Sequence, residues 1–277
     1  MHIQKIAAFS DGNTGGNPAG VVIAEQHPSD AEMQRIAADV GFSETAFAAP
    51  VDDAFRVRYF SPESEVPFCG HATIALGAAL ALKLGDGTFS LILNEVEITV
   101  EGRQQGGVIS AALQSPPTHS AAASPQLLAD ALALFGYTDD DLDLNIPPAR
   151  INGGAEHLVL GLKTRETLAA MKYDLAAGRD LMTQAGLVTI TLVYTETPQL
   201  FHTRNPFASG GVYEDPATGA ATAAFAGYLR DIAWPHNGVI DIVQGEDMGM
   251  RSLLKAEIPA QRGSSIRISG TARLMED

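Results

Sequence analysis

The chain has little cysteine and little positive charge. Cys69 is the single thiol among 277 residues, so no disulfide can form within the chain, and a reducing cytoplasm is the expected compartment. Lysine and arginine number 18 against 33 aspartates and glutamates, a formal net charge of -15. A surface that negative repels a phosphate backbone, so nucleic acid is not an expected partner. A small acidic substrate is still compatible, because a local cradle of backbone N–H groups overrides a global field. No apolar run approaches the ~20 residues needed to span a bilayer, and no membrane partner is expected. The opening Met1-His2-Ile3-Gln4-Lys5 lacks the basic-then-apolar layout of a signal peptide. The seven histidines lie more than five residues apart, which excludes a helix-borne metal pair. There is no Gly-x-Ser-x-Gly elbow, phosphate loop or Gly-x-Gly-x-x-Gly turn, so a serine hydrolase and a nucleotide enzyme are both disfavoured. No cofactor and no metal are called for.

What is present reads as a folded α+β protein. The chain is 45% hydrophobic and only 18% charged, a composition that can bury a core. Ser29-Asp30-Ala31-Glu32 is a capping box, followed by Met33, Ile36, Ala37 and Val40 on one face and Gly41 as the stop. Ser124-Pro125 opens a second helix that presents Leu127, Leu128, Ala131, Leu132 and Phe135 and stops at Gly136. Two further segments, His71 to Leu84 and Pro216 to Leu229, are small or apolar on every side, the mark of a buried helix. Strands are expected at residues 3–9, 21–24, 45–49, 55–59, 98–100, 108–113, 158–162, 188–195, 239–243, 253–258 and 266–274. Their order is mixed and does not alternate regularly with helices, which favours α+β over a doubly wound sheet. Ser115 to Ala123 reads as an inter-lobe linker and Asp139 to Asp143 as a solvated loop. Two lobes are therefore expected, residues 1–115 with a last strand near 264–277 returning to them, and residues 120–262.

The candidate chemistry sits where the two buried helices begin. A helix N-terminus carries roughly half a positive charge and unpaired N–H groups, a ready site for a carboxylate or enolate. The first start is Pro67-Phe68-Cys69-Gly70-His71-Ala72-Thr73 and the second is Glu214-Asp215-Pro216-Ala217-Thr218-Gly219-Ala220. Taken alone, Asp215-Pro216 is also what a plain N-cap with proline in the first turn looks like. Glu44 follows a helix stop and opens a strand, and by itself could equally be a surface turn residue.

Those two segments, preceded by Gly16-Asn17-Pro18-Ala19-Gly20 and Phe42-Ser43-Glu44-Thr45-Ala46-Phe47, occur in one order along the chain. Together they resemble the successive motifs of the PhzF-like (phenazine biosynthesis-like) isomerase family. The resemblance implies a diaminopimelate-epimerase-like fold: two similar lobes, each a barrel-like mixed sheet around a central helix, with the active site between them. It implies a cofactor-independent isomerase, possessing Glu44 as the acid/base that moves a proton between carbons of a small carboxylate-bearing substrate. His71 and Asp215 match the other catalytic positions, and Asn17, Cys69, Gly70, Thr218, Gly219 and Ala220 match substrate-binding ones. A homodimer is a further expectation. One departure stands out: phenazine-pathway members carry serine directly after the Thr-Gly of the last motif, where this chain has Ala220.

Two other readings compete. Related racemases and epimerases use two opposed cysteines, and Cys69 matches the first of these. The second falls near Pro216, so an epimerase would have to pair Cys69 with Glu44. A non-catalytic ligand-binding relative is the other alternative; joint retention of Glu44, His71 and Asp215 speaks against it.

Overall fold

A computed structural model describes residues 2–94 and 96–275. The chain divides into two units, one running to Gln114 and resuming at Ser269, the other Ser115–Ile268.

The first unit contains β1 (Gln4–Ala8), β2 (Asn17–Ile23), α1 (Asp30–Val40), β3 (Thr45–Val51), β4 (Ala54–Phe60), β5 (Glu65–Val66), α2 (Gly70–Leu84), β6 (Gly87–Ile92), β7 (Glu97–Gln105) and β8 (Val108–Gln114). The chain's last strand, Arg267–Leu274, completes it. Pairing runs antiparallel β1–β2, parallel β2–β3, antiparallel β3–β4 and parallel β4–β6. It continues antiparallel through β6–β7 and β7–β8. The last strand pairs with both β8 and β1, so the strands form a closed ring. Closure removes the open edges that would otherwise invite pairing with another chain. Inside the ring lies α2, buried from His71 through Ala81. Its alanines and glycines let the strands come close: a Cβ placed on Gly102 of β7 would lie 2.2 Å from the Gly77 carbonyl oxygen of α2. On the outside, α1 lays Met33, Ile36 and Ala37 against Val22, Phe47 and Phe60. Strand alternation thus gives β3 one face for α1, while α2 packs against the same sheet from within.

The second unit contains β9 (His119–Ala122), α3 (Pro125–Phe135), β10 (Ala149–Asn152), β11 (Glu156–Leu162), α4 (Arg165–Ala169), α5 (Leu175–Ala185), β12 (Thr189–Thr197), β13 (Leu200–Phe207), β14 (Val212–Asp215), α6 (Gly219–Asp231), β15 (Val239–Gln244) and β16 (Ser252–Glu257). The sheet order is β9–β10–β11–β12–β13–β15–β16, and β14 pairs with the end of β13. The buried α6 touches β9, β10 and β11 at one end of the sheet and β16 at the other, so the sheet curls around it. A separate core of Leu127, Leu132, Phe135, Leu160, Met182 and Leu192 joins α3 and α5 to the sheet's other face. Among the described residues no helix is long and apolar enough to cross a membrane.

Two expectations change. The linker reading of Ser115 to Ala123 changes in part: the units divide at Ser115, but His119–Ala122 is strand β9, paired with β10. The second buried helix starts at Gly219 and not at Pro216, because Asp215 is still paired as the end of β14. The acidic run is solvated as expected and contains a 3-10 turn over Asp139–Asp141, with the Asp141 carboxylate accepting from the Thr138 N–H. The unexpected strands β6, β10, β13 and β14 and the helices α4 and α5 have weak or interrupted patterns, and their neighbours decide them.

Two buried polar features of the second unit generate tests. Glu214, part of the last family-like motif, is buried and forms a two-pronged ion pair with Arg204, Nε to Oε1 at 3.0 Å and Nη2 to Oε2 at 2.5 Å. Arg204 also donates to the Ala169 carbonyl at 2.9 Å, which ties α4 to β13 and β14. Removing one member of such a pair strands the other charge in the interior. Glu214→Ala is expected to cost about 3–5 kcal/mol in urea denaturation, and adding Arg204→Met should recover part of the loss.

His157 is fully buried on β11, its Nδ1 2.7 Å from the Thr189 hydroxyl. Burial pushes its pKa down from the ordinary 6.5 to about 4, against a smaller upward pull from Glu156. The unfolded chain therefore takes up a proton near pH 6.5, whereas the folded one resists until about pH 4. The stability contribution is present above pH 6.5 and is lost as pH falls through that window, by about 3 kcal/mol at ~1.36 kcal/mol per unit. Denaturation across this range should show that acid-linked loss in the native protein and its absence in His157→Gln.

Candidate active site

Glu44 owes its place to two glycines. Gly41 ends α1 in the left-handed region, φ 72°, with its N–H bonded to the Ala37 carbonyl, and turns the chain toward β3. Phe42 and Ser43 form the bend, and Thr45 then pairs with Gly20 of β2. A Cβ on Gly20 would stand 2.6 Å from the Thr45 hydroxyl oxygen, so only glycine lets the two strands meet here. The Gly20 N–H donates to the Glu44 carbonyl at 3.2 Å, anchoring the residue's backbone. Asn17, at the other end of the same motif, opens β2 opposite Ala8 and is 2% exposed.

The start of α2 is held from below. Cys69 is its N-cap, in an extended conformation and without a side-chain capping bond. The Cys69 carbonyl accepts from the Thr73 N–H at 3.0 Å and from the Thr73 hydroxyl at 2.7 Å. With its proton so engaged, Thr73 receives the bond from the buried Tyr59 hydroxyl at 2.7 Å. Burial pushes the Tyr59 phenol far above its ordinary range, with a smaller opposing effect from Thr73, which keeps it a donor. The first-turn N–H groups of Gly70, His71 and Ala72 have no partner within the helix, as geometry requires of any helix start.

The side chains of three motif residues converge there. His71 Nε2 lies 3.4 Å from Glu44 Oε2, and the two side chains are only 6% and 14% exposed. Cys69 Sγ lies 3.4 Å from His71 Nδ1 and 4.0 Å from Nε2. The ligand-type atoms of Glu44, Cys69 and His71 all fall within 4.8 Å of one another. Ser43 Oγ approaches His71 Nε2 at 3.4 Å. Sequence reasoning passed over Ser43, although it sits inside the same Phe-Ser-Glu motif.

In the second unit a different cluster forms at the start of α6. Thr218 is the N-cap, and its hydroxyl donates to Asp215 Oδ2 at 2.5 Å instead of capping the helix. The fully buried Gln244 ties the segment together. Its Nε2 donates to the Asp215 carbonyl at 2.7 Å and to Thr218 Oγ1 at 3.0 Å, and its Oε1 accepts from the Thr218 N–H at 3.1 Å. Gly219 and Ala220 are the first helical residues. Asp215 is thus a strand end bonded to Thr218, which replaces its reading as an N-cap. Nothing in the local sequence marks Gln244, which lies 26 positions beyond Thr218 at the end of β15.

Similarity to known proteins is extensive. The profile of the family described as "Phenazine biosynthesis-like protein" (PhzC-PhzF) matches residues 6–277. The chain is 31% identical to the trans-2,3-dihydro-3-hydroxyanthranilate isomerase of Pseudomonas aeruginosa, covering 96% of this chain and 94% of that protein. A crystal structure of the Bacillus anthracis phenazine biosynthesis protein of the PhzF family superposes with a TM-score of 0.85 at 22% identity, covering 100% of this chain and 98% of that one. A hydroxyproline epimerase of Agrobacterium vitis shares the fold more distantly, with a TM-score of 0.62 at 10% identity over 99% of this chain and 88% of that one. The motifs, the mixed barrel-like sheet and the matched length agree, and the chain belongs to the phenazine biosynthesis-like (PhzC-PhzF) family of isomerases.

Proposed function

We propose that the protein is a cofactor-independent isomerase that moves a proton between carbons of a small carboxylate-bearing molecule, with Glu44 as the general acid/base. The observation that carries this reading is the placement of the Glu44 carboxylate 3.4 Å from His71 at the uncapped start of α2. Proton transfer at carbon needs a base within reach and preorganised donors for the charge that develops. Glu44 takes the proton from one carbon and, as the carboxylic acid, returns it to another. The N–H groups of Gly70, His71 and Ala72 receive the negative charge that accumulates meanwhile. His71, held between Cys69 and Glu44, orients the carboxylate.

The same proposal assigns Asp215, Thr218, Gly219 and Ala220 to binding the substrate's acidic end. The bond from Thr218 to Asp215 and the clamp by Gln244 support this, because they fix the segment while leaving the helix start without a side-chain cap. Asn17 is proposed as a further substrate contact. The compound named for the Pseudomonas aeruginosa relative, trans-2,3-dihydro-3-hydroxyanthranilate, is the first substrate to assay. Ala220 retains a backbone N–H there but offers no hydroxyl, which argues for a substrate with one fewer hydrogen-bonding group at that end.

A second reading is favoured by one distance. Cys69 Sγ at 3.4 Å from His71 Nδ1 could act as a second base, making the protein an epimerase. Two variants separate the readings. Glu44→Gln keeps the shape and removes the titratable group, and kcat should fall on the order of 10²–10⁴ while the ligand Kd stays within a few-fold. Cys69→Ala should change kcat little if the isomerase reading holds, and as severely as Glu44→Gln if the epimerase reading does. Near-full turnover by Glu44→Gln would sink both.

A further inference from the structure

We propose that Glu44, Cys69 and His71 also form a binding site for a soft divalent cation, for which zinc is the best match. The sequence excluded a metal pair on one helix; the fold assembles a different set, one residue from the approach to β3 and two from the start of α2. In tetrahedral zinc sites the metal lies ~2.0–2.3 Å from N, O and S ligands, which puts the ligand atoms about 3.3–3.6 Å apart. The edge between His71 Nε2 and Glu44 Oε2 is already 3.4 Å, and that between His71 Nε2 and Cys69 Sγ is 4.0 Å. His71 Nδ1 is 3.4 Å from the sulfur, and the remaining edge, from Cys69 Sγ to the Glu44 carboxylate, lies within 4.8 Å, so a bound metal has to draw the His71 ring and the Glu44 carboxylate inward.

The chemistry of the set is selective. Thiolate and imidazole suit zinc, cobalt and copper, whereas calcium and magnesium require more oxygen ligands than these three side chains supply. Thiolate and carboxylate together bring two negative charges, which offsets the electropositive helix end that would otherwise repel a cation. The Cys69 and His71 backbones are held by α2, and Thr73, itself bonded by Tyr59, donates to the Cys69 carbonyl, so binding asks for side-chain rotation and not for backbone movement. Three protein ligands leave a fourth position open, as in catalytic zinc sites, and Ser43 Oγ stands 3.4 Å from His71 Nε2. Binding releases the thiol proton and is expected to weaken as pH falls. A bound cation would engage the carboxylate assigned above as the base, so zinc should act as an inhibitor; that consequence alone rests on the proposed function.

Cobalt(II) provides the readout, since four-coordinate thiolate sites show a charge-transfer band in the near ultraviolet and strong visible ligand-field bands. The purified full chain titrated with cobalt should develop both at one equivalent, and zinc should abolish them. Cys69→Ser should lose the charge-transfer band. It should also weaken zinc binding by more than the ~10–100-fold that an outer-shell partner carries. His71→Gln should weaken binding similarly if Cys69→Ser proves unstable. His202→Ala, in the separate cluster with Glu196 and Glu246, should leave the spectrum unchanged. No band in the native protein, or a band that survives Cys69→Ser, would overturn the proposal. A band accompanied by no loss of activity would keep the metal site and count against Glu44 as the base.

Discussion

The constraint on which the first unit depends is the complete enclosure of α2 in a closed ring of strands. A helix buried on all sides must be apolar on all sides, and α2 meets this with alanine, leucine and glycine. Its end groups cannot be hidden in the same way. The first N–H groups need partners that the helix itself cannot supply, and Cys69 provides no side-chain cap. Such a terminus is an invitation to an anionic group, and the motif residues surround this one with an acid, an imidazole and a thiol. The fold thus creates the electrostatic need on which the proposed site rests.

The proposed acidic ligand is compatible with an acidic protein. The net charge of -15 is a sum over the whole chain, whereas the donors at a helix start act over the first turn only. Glu44 is close enough to His71 to remain oriented, and its side chain is 14% exposed. The same proximity underlies both proposals for this cluster. A proton on the carboxylate and a soft cation among the three ligands are competing occupants of one set of lone pairs.

Much of this was legible in the residues, for identifiable reasons. The buried helices could be read because neither presents a polar face, and the capping box and Gly41 marked α1 to the residue. Glu44, Cys69 and His71 could be named only through the resemblance to a family, because alone each has an ordinary explanation. The return of the last strand to the first unit was expected, but its pairing with β1, which closes the ring, was not legible in the residues. Gln244 stayed hidden because its role rests on contacts with Asp215 and Thr218 that sequence spacing cannot reveal. The start of α6 was misplaced because Asp-Pro is a strong capping signal, and the ladder between Asn205 and Asp215 outweighs it. Glu214 shows the converse, a motif residue whose partner Arg204 makes it part of the framework.

The central claim is that Glu44 carries a proton between carbons. Its most direct test is turnover in deuterium oxide without added cofactor, with the product's carbon-bound positions read by nuclear magnetic resonance. Trans-2,3-dihydro-3-hydroxyanthranilate is the starting compound. The account predicts deuterium at the carbon that receives the proton, and loss of that incorporation in Glu44→Gln. Incorporation that persists unchanged in Glu44→Gln would contradict it.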